Sequence, residues 1–175
     1  MLVDLLTERR QQLLEQWRQA IRETYPSETA HFLKERHDQF HNPVGHIISE
    51  QTEILLDQLL GPMDDDTITS ALTEIVQIRA IQDFCPADAV AFVALLKPIV
   101  REVCFEEGFE RSRHRELIKF EDRIDSVQGA AFNIYSECRD RLADIRVNEE
   151  KRRHQILLEK LNARVRGLDG ENSKQ

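Results

Sequence analysis

The sequence lacks the motifs that mark common nucleotide-dependent and hydrolytic enzymes. It has no P-loop, no Gly-rich dinucleotide-binding fingerprint and no nucleophile elbow. Glycine and proline are scarce, with six and five in 175 residues, and no alternating apolar pattern predicts a β-strand. These absences favour an all-helical protein that is not an enzyme.

Cysteine is also scarce. Three cysteines are widely spaced and form no CxxC pair, so we expect reduced thiols in the cytoplasm. Cys85 stands just before a predicted helix start, where a redox-sensing role is one interpretation and simple packing is the other.

The charge balance excludes one class of partner. The net charge is -8 and no basic stripe is present, so nucleic acid is not an expected partner. The N-terminus has no basic segment followed by an apolar run, so we expect no signal peptide.

The most apolar stretch, from residue 75 to residue 104, predicts the central helix of the core. Every residue from 89 to 96 is apolar, and a helix apolar on nearly all sides is one buried among other helices. Lys97, Pro98 and Arg101 interrupt it, so it falls short of the roughly 20 uncharged residues of a membrane span. Pro98 should bend this helix or end its regular part.

Two long polar side chains, Arg79 and Gln82, precede this helix within an otherwise apolar segment. Buried polar groups need hydrogen-bond partners, because leaving them unpaired costs free energy. One interpretation is that both brace neighbouring backbone. The other is that they line a small polar pocket that receives a signal, together with Asn42 and His46.

Apolar residues recur with helical spacing along the whole chain. The predicted helices span 2–24, 27–38, 43–60, 67–83, 86–104 and about 110–166. Asn42 followed by Pro43 marks a helix start, as a cap and a first-turn proline. The last helix would exceed about 80 Å, and we expect it to break near Ser112 or Gly129. The fold class is all-α, with one globin-like or helical-bundle domain and a long projecting C-terminal helix.

The last helix changes character along its length. A core-facing stripe that includes Ile118 and ends at Ile145 gives way to a polar stretch, 148–155, which should project into solvent. A short heptad seam follows, at spacings of three, four and three: Leu158, Leu161, Val165 and Leu168. Such a seam can pair with its copy in a homodimer or dock on another protein. The tail, 169–175, should be disordered.

Four histidines, His31, His37, His41 and His46, lie within sixteen positions. His37 and His41 are weak metal candidates, because a spacing of four puts two imidazoles on one helix face. The alternative is a solvated polar corner, since no HExxH motif or neighbouring cysteine accompanies them. Haem is disfavoured, because the helix 86–104, the counterpart of the helix under a globin haem, has no histidine. We expect no cofactor.

Several motifs together carry a family resemblance. They are FHNPVGH at 40–46, IRAIQDF at 78–84, YSECR at 135–139 and IRVNE at 145–149. These motifs resemble the RsbRD N-terminal domain over about residues 4–150. The resemblance implies an all-helical, globin-like sensor module without haem and without established catalytic residues. In that family the last helix usually leads to a STAS output domain, which does not follow here, so a stand-alone module that binds a partner through its C-terminal helix is expected.

The sequence thus predicts a sensor-like domain, 1–147, a projecting helix, 148–168, and the tail. The first hypothesis is a non-enzymatic cytoplasmic regulatory module, dimeric, that acts through protein contact. The second is an adaptor or assembly factor for a larger redox or membrane-associated enzyme complex. The third is a small-ligand or metal-binding protein that uses the histidines of 31–46.

Overall fold

The computed structural model describes residues 1–25, 42–82, 84–106, 108 and 114–172, with side chains of the last helix described as far as residue 163. Within these ranges the chain forms helices and no strand. They are α1 (Leu2–Glu8), α2 (Arg10–Glu23), α3 (Pro43–Leu60), α4 (Asp65–Ile81), α5 (Pro86–Ala94), α6 (Leu96–Glu106) and α7 (His114–Asn172). The predicted all-α class with a long C-terminal helix is confirmed.

The chain forms two compact units, Met1–Ser136 and Glu137–Gln175. The predicted divide between residues 147 and 148 falls within the second unit. Helix α7 continues to Asn172, so its last turns overlap the predicted tail, 169–175. The choice between a globin-like arrangement and a plain bundle stays a prediction, and the predicted helix 27–38 lies outside the described residues.

Side-chain caps fix the starts of two helices, α3 and α4, and the sequence predicts the one at Asn42. Asn42 Oδ1 accepts a hydrogen bond from the backbone N–H of Gly45 at 2.8 Å, and Pro43 occupies the first turn of α3. Asp64 Oδ2 accepts from both the N–H and the hydroxyl of Thr67, at 2.9 and 2.6 Å. Each cap satisfies backbone donors that have no partner inside the helix.

The predicted core helix is interrupted once. It divides into α5 and α6 at Leu95, three residues before Pro98. The proline has no N–H to bond to the carbonyl of Ala94, and its ring collides with that carbonyl, so the break falls where the last residue of α5 stands. Within 114–172, by contrast, the predicted break near Gly129 is wrong, because a glycine inside a helix costs only about 1 kcal/mol. Ser112 lies outside the described residues.

In the core of the first unit, the apolar faces of several helices pack around α5 and α6. Helix α2 buries Leu13, Leu14, Trp17 and Ile21. The indole N–H of Trp17 donates to the carbonyl of Phe92 at 2.7 Å, and both side chains are fully buried. This bond joins α2 to α5 at the centre of the unit, while α3 and α4 pack extensively on each other.

The first part of α7 closes this unit. Its buried residues are Phe120, Ile124, Val127, Ala131, Ile134 and Tyr135. Ion pairs Lys97–Asp125 and Arg101–Glu121, each at 2.6 Å, tie it to α6.

Two members of the predicted core stripe of α7 are exposed. Ile118 is 45% exposed, because it stands two residues, about 200° of helix rotation, before Phe120. Ile145 is 54% exposed and belongs to the second unit, where α7 is the only described helix. No helix in the described part of the chain has the length and apolar character needed to cross a membrane.

Candidate functional site

Arg79 is the most unusual residue of the first unit, because its charged side chain is fully buried. Its guanidinium carbon lies 5.1 Å from the ring centroid of Tyr25, 4.6 Å from that of Phe84 and 5.4 Å from that of Phe92. Aromatic faces attract cations, and the attraction grows when water is excluded. We call Arg79 and these three rings the arginine box.

Hydrogen bonds fix the guanidinium inside the arginine box. Nη1 donates to the carbonyl of Asp88 in the first turn of α5 at 2.8 Å, and Nη2 donates to the hydroxyl of Thr24 at the end of α2. The hydroxyl of Thr24 in turn donates to the carbonyl of Ile21 at 2.7 Å. A single side chain of α4 therefore links the end of α2 to the start of α5.

The arginine box is not fully satisfied by the described residues. Arg79 Nε and the hydroxyl of Tyr25 are buried there without a hydrogen-bond partner, and no described carboxylate forms an ion pair with Arg79. Around it, the Tyr25 and Phe84 rings meet edge to face at 5.2 Å, and the Tyr135 hydroxyl donates to the carbonyl of Phe84 at 2.9 Å. The predicted need of Arg79 for partners is thus met mostly by backbone, a hydroxyl and aromatic faces.

The other residues of the predicted signal pocket take different positions. Gln82 is exposed at the C-terminal end of α4. Asn42 is buried and caps α3, whereas His46 is partly exposed, with Nε2 3.9 Å from Glu50 Oε2. None of the four predicted residues lines the cleft between α2 and α3 or the cleft between α3 and α4, both formed by described residues. A shared signal pocket stays a prediction.

Packing against Asn42 explains why residue 45 is a glycine. A Cβ atom at Gly45 would lie 2.3 Å from Asn42 Nδ2 and 2.8 Å from its Cγ. The side chain of Asn42 therefore folds over the third residue of α3 only if that residue has no side chain. The N-P-x-G pattern in the sequence describes one capping unit.

Sequence reasoning missed a cleft of about 320 Å³ between α2 and α3. It is lined by Gln11, Glu15, Arg18, Arg22, Gly45, Ile48 and Ser49. Arg18 and Arg22 are four residues apart on α2 and therefore share one side of the helix. This spacing was the signal in the sequence that could have indicated the cleft.

The two arginines of this cleft differ in their contacts. Arg18 donates to the hydroxyl of Thr52 at 3.2 Å and pairs with Glu53 at 3.3 Å. Arg22 Nε is buried without an acceptor among the described residues, and burial, followed by the charge of Arg18, lowers the pKa of Arg22. Glu15 adds a negative charge beside the two arginines, so the lining carries charges of both signs.

The metal and redox candidates lie partly outside the described residues and stay predictions. No group of three or more His, Cys, Asp or Glu side chains among the described residues could hold a metal, but His31, His37 and His41 lie outside those residues. The thiol of Cys85 is exposed and donates to Asp88 Oδ2 at 3.0 Å. Burial raises the pKa of the Cys104 thiol, as expected of a packing residue.

The second unit exposes a group of leucines. Leu157, Leu158 and Leu161 are 56%, 60% and 58% exposed, which places the first half of the predicted heptad seam in solvent. We call these three residues the leucine face. The side chains of Val165 and Leu168, the second half of the seam, lie outside the described residues.

Comparison with known proteins supports one relationship. Neither a curated protein nor a solved structure matches the chain. The profile of the RsbT co-antagonist protein rsbRD N-terminal domain matches residues 11–149, more than three quarters of the sequence. The matched range contains the capping unit at Asn42 and the arginine box. The chain therefore belongs to the RsbT co-antagonist protein rsbRD N-terminal domain family, a family of sensory domains related to the stressosome.

Proposed function

We propose that this protein is a non-enzymatic cytoplasmic regulatory module that acts by binding another protein through the leucine face of α7. The observation that carries the proposal is the exposure of Leu157, Leu158 and Leu161, each more than half exposed within two turns of one helix. Exposed apolar side chains that cluster on a soluble protein mark interaction sites more often than isolated ones do.

The partner that fits this surface presents a helix with an apolar seam of its own. Leu158 and Leu161 occupy successive seam positions of a heptad, and the sequence continues this spacing to Val165 and Leu168. A helix that packs there would bury the leucines by inserting its side chains between them. Family membership supports the regulatory role, since the family consists of sensory domains.

The first unit is the proposed input side of this module. The arginine box supports this assignment, because the single side chain of Arg79 bonds both to the end of α2 and to the start of α5. A stimulus that changed these bonds would change the packing of three helices together. The predicted pocket residues Asn42, His46 and Gln82 remain candidates for the contact with the stimulus.

The test replaces Leu158 and Leu161 with glutamate in the full chain. Loss of the binding partner is expected, because two carboxylates cannot be buried in an apolar seam without a large desolvation cost. The measurement is quantitative pull-down of the partner that the unaltered chain retains, with circular dichroism to confirm that helix content is unchanged.

The matched control is Asn148→Glu with Ala163→Glu, which adds the same charge at exposed positions of the same helix. At about 100° of rotation per residue, both positions lie about 80° or more from every residue of the leucine face. Retention of the partner by the leucine variant, or equal loss in the control, would refute a contact at the leucine face.

A further inference from the structure

A second surface lies on the opposite side of the same helix. It consists of Ile145, Glu149, Arg152 and Ile156, which follow one another at intervals of four, three and four and therefore share one side of α7. All four are exposed, and the two isoleucines are 54% and 42% exposed. Neither Glu149 nor Arg152 forms a hydrogen bond or an ion pair with another described residue. We call these four residues the palindromic face.

The order of side chains on this face is symmetric about its centre, except that the two charges have opposite signs. It runs apolar, acidic, basic, apolar, and its centre falls between residues 150 and 151. When a second identical helix lies antiparallel across it, Ile145 opposes Ile156 and Glu149 opposes Arg152. A two-fold axis repeats each pair, so the face is complementary to itself.

A parallel arrangement of the same face would oppose like charges. Glu149 would then face its own copy, and Arg152 would do the same. Like charges directly opposite each other are destabilising, whereas opposite charges attract by a similar amount. The order of the charges therefore favours the antiparallel orientation. The two isoleucines alone would not favour either orientation.

We propose that the palindromic face binds a second copy of this chain, with the two α7 segments antiparallel. The contact from Ile145 to Ile156 covers about 16 Å of helix. A short contact with two exposed ion pairs forms a weak dimer that loosens as salt rises.

This inference does not rest on the proposed function, because the two faces are separate. Leu161 follows Arg152 by nine residues, which is 2.5 turns at 3.6 residues per turn and places it on the far side of α7. Self-association through the palindromic face leaves the leucine face open. The predicted seam through Leu158 and Leu161 is the competing mode of dimerisation.

Charge reversal in the full chain separates the two modes. Glu149→Arg and Arg152→Glu should each weaken the dimer about tenfold or more at low salt, because each puts like charges into two symmetric pairs. Combining them restores opposite charges in both pairs, and dimerisation should return. The measurement is the dimer dissociation constant from sedimentation equilibrium, with circular dichroism to confirm unchanged helix content.

The matched controls are Glu150→Arg and Lys151→Glu. They make the same changes in net charge within the same turn, but each neighbouring residue is rotated by about 100° from the palindromic face. They should leave the dissociation constant within about twofold of the unaltered chain. An equal effect in these controls would overturn the proposal, since it would reflect net charge alone.

Cysteine cross-linking then tests the orientation. In a Cys85→Ser background, chains carrying Ile145→Cys are mixed with chains carrying Ile156→Cys and treated with a short bis-maleimide. Antiparallel pairing predicts cross-links between the two kinds of chain and few within either kind. Cross-linking of each variant mainly to itself, a monomeric unaltered chain, or a failure of the double charge reversal to restore the dimer would each overturn the proposal.

Discussion

The two units of this chain use apolar residues of the same helix in different ways. In the first unit, α7 buries Phe120, Ile124 and Val127 to 3% exposure or less. In the second unit, Ile145, Ile156 and the leucine face are all more than 40% exposed. The spacing of the apolar residues is helical in both units, so spacing alone does not distinguish a core face from an interaction face.

The difference predicts where mutations act. Side chains buried in the first unit contribute to the free energy of folding, because they leave water when the chain folds. Exposed side chains of the second unit contribute little to folding and are available for association. Variants that affect folding and variants that affect binding should therefore separate along the chain.

The largest expected effect is that of Phe92→Ala. Phe92 is fully buried in α5, where its ring faces Arg79 and its carbonyl accepts the Trp17 indole bond. Its truncation should lower the free energy of unfolding by about 3–5 kcal/mol, from lost burial and the cavity left behind. The measurement is chemical denaturation followed by circular dichroism.

Leu158→Ala provides the comparison for Phe92→Ala. Leu158 is 60% exposed, so its truncation should change the free energy of unfolding by only about 0.5 kcal/mol or less. Equal losses in the two variants would mean that the leucine face is part of a folded core, and would end the distinction between the two units.

The next largest effect is a difference in stability between alanine variants of two glycines in the first unit. Gly45→Ala should destabilise the protein by about 1–2 kcal/mol, because its Cβ would displace the buried Asn42 cap. Gly129→Ala should stabilise by about 0.5–1 kcal/mol, since nothing lies within 4 Å of its Cβ position and alanine favours helix. The shift in thermal midpoint should have opposite signs in the two variants.

Much of the local structure could be predicted from the sequence because short-range chemistry determines it. The Asn42–Pro43 pair predicted the start of α3 through its cap and first-turn proline. Pro98 predicted the interruption of the core helix, since the proline acts on a carbonyl only four residues away. These features depend on neighbours in the sequence.

The arginine box could not be predicted, because its parts come from distant segments. The sequence showed that Arg79 needs partners, but Tyr25 and Phe92 reach it only through the packing of α2 and α5 onto α4. Gln82, three residues after Arg79, was expected to share its environment and is exposed instead. Propensity and spacing do not specify which side chains meet across helices.

The smallest expected effect concerns the exposed charge cluster between α2 and α3. Arg10 pairs with Glu53 at 2.9 Å and with Asp57 at 2.6 Å. The hydrogen bond from Arg10, followed by the charges of Arg10 and Arg18, holds the pKa of Glu53 below its ordinary value of 4.5, despite an opposing effect of burial. The cluster therefore links part of the stability of the first unit to pH.

The sign of this link follows from the lowered pKa. Below pH 4.5 the unfolded chain binds a proton at Glu53 before the folded chain does, so protonation favours unfolding. The contribution of Glu53 is present above pH 4.5 and is lost as the pH falls through its folded pKa. Glu53→Gln should remove about 0.5 kcal/mol or less at pH 7, because exposed ion pairs are screened by solvent. As the pH falls below 4.5, the variant should lose less further stability than the unaltered protein.

The control is Glu74→Gln on α4, where an exposed glutamate forms no hydrogen bond or ion pair with another described residue. Its stability should follow that of the unaltered protein at every pH, because no partner is lost. Adding salt should reduce the difference between Glu53→Gln and the unaltered chain at pH 7 but leave Phe92→Ala unchanged, since salt screens charges and not apolar contacts. If salt instead reduced the effect of Phe92→Ala, the loss would come from the charge of Arg79 beneath its ring, and the core would depend on the arginine box more than on burial.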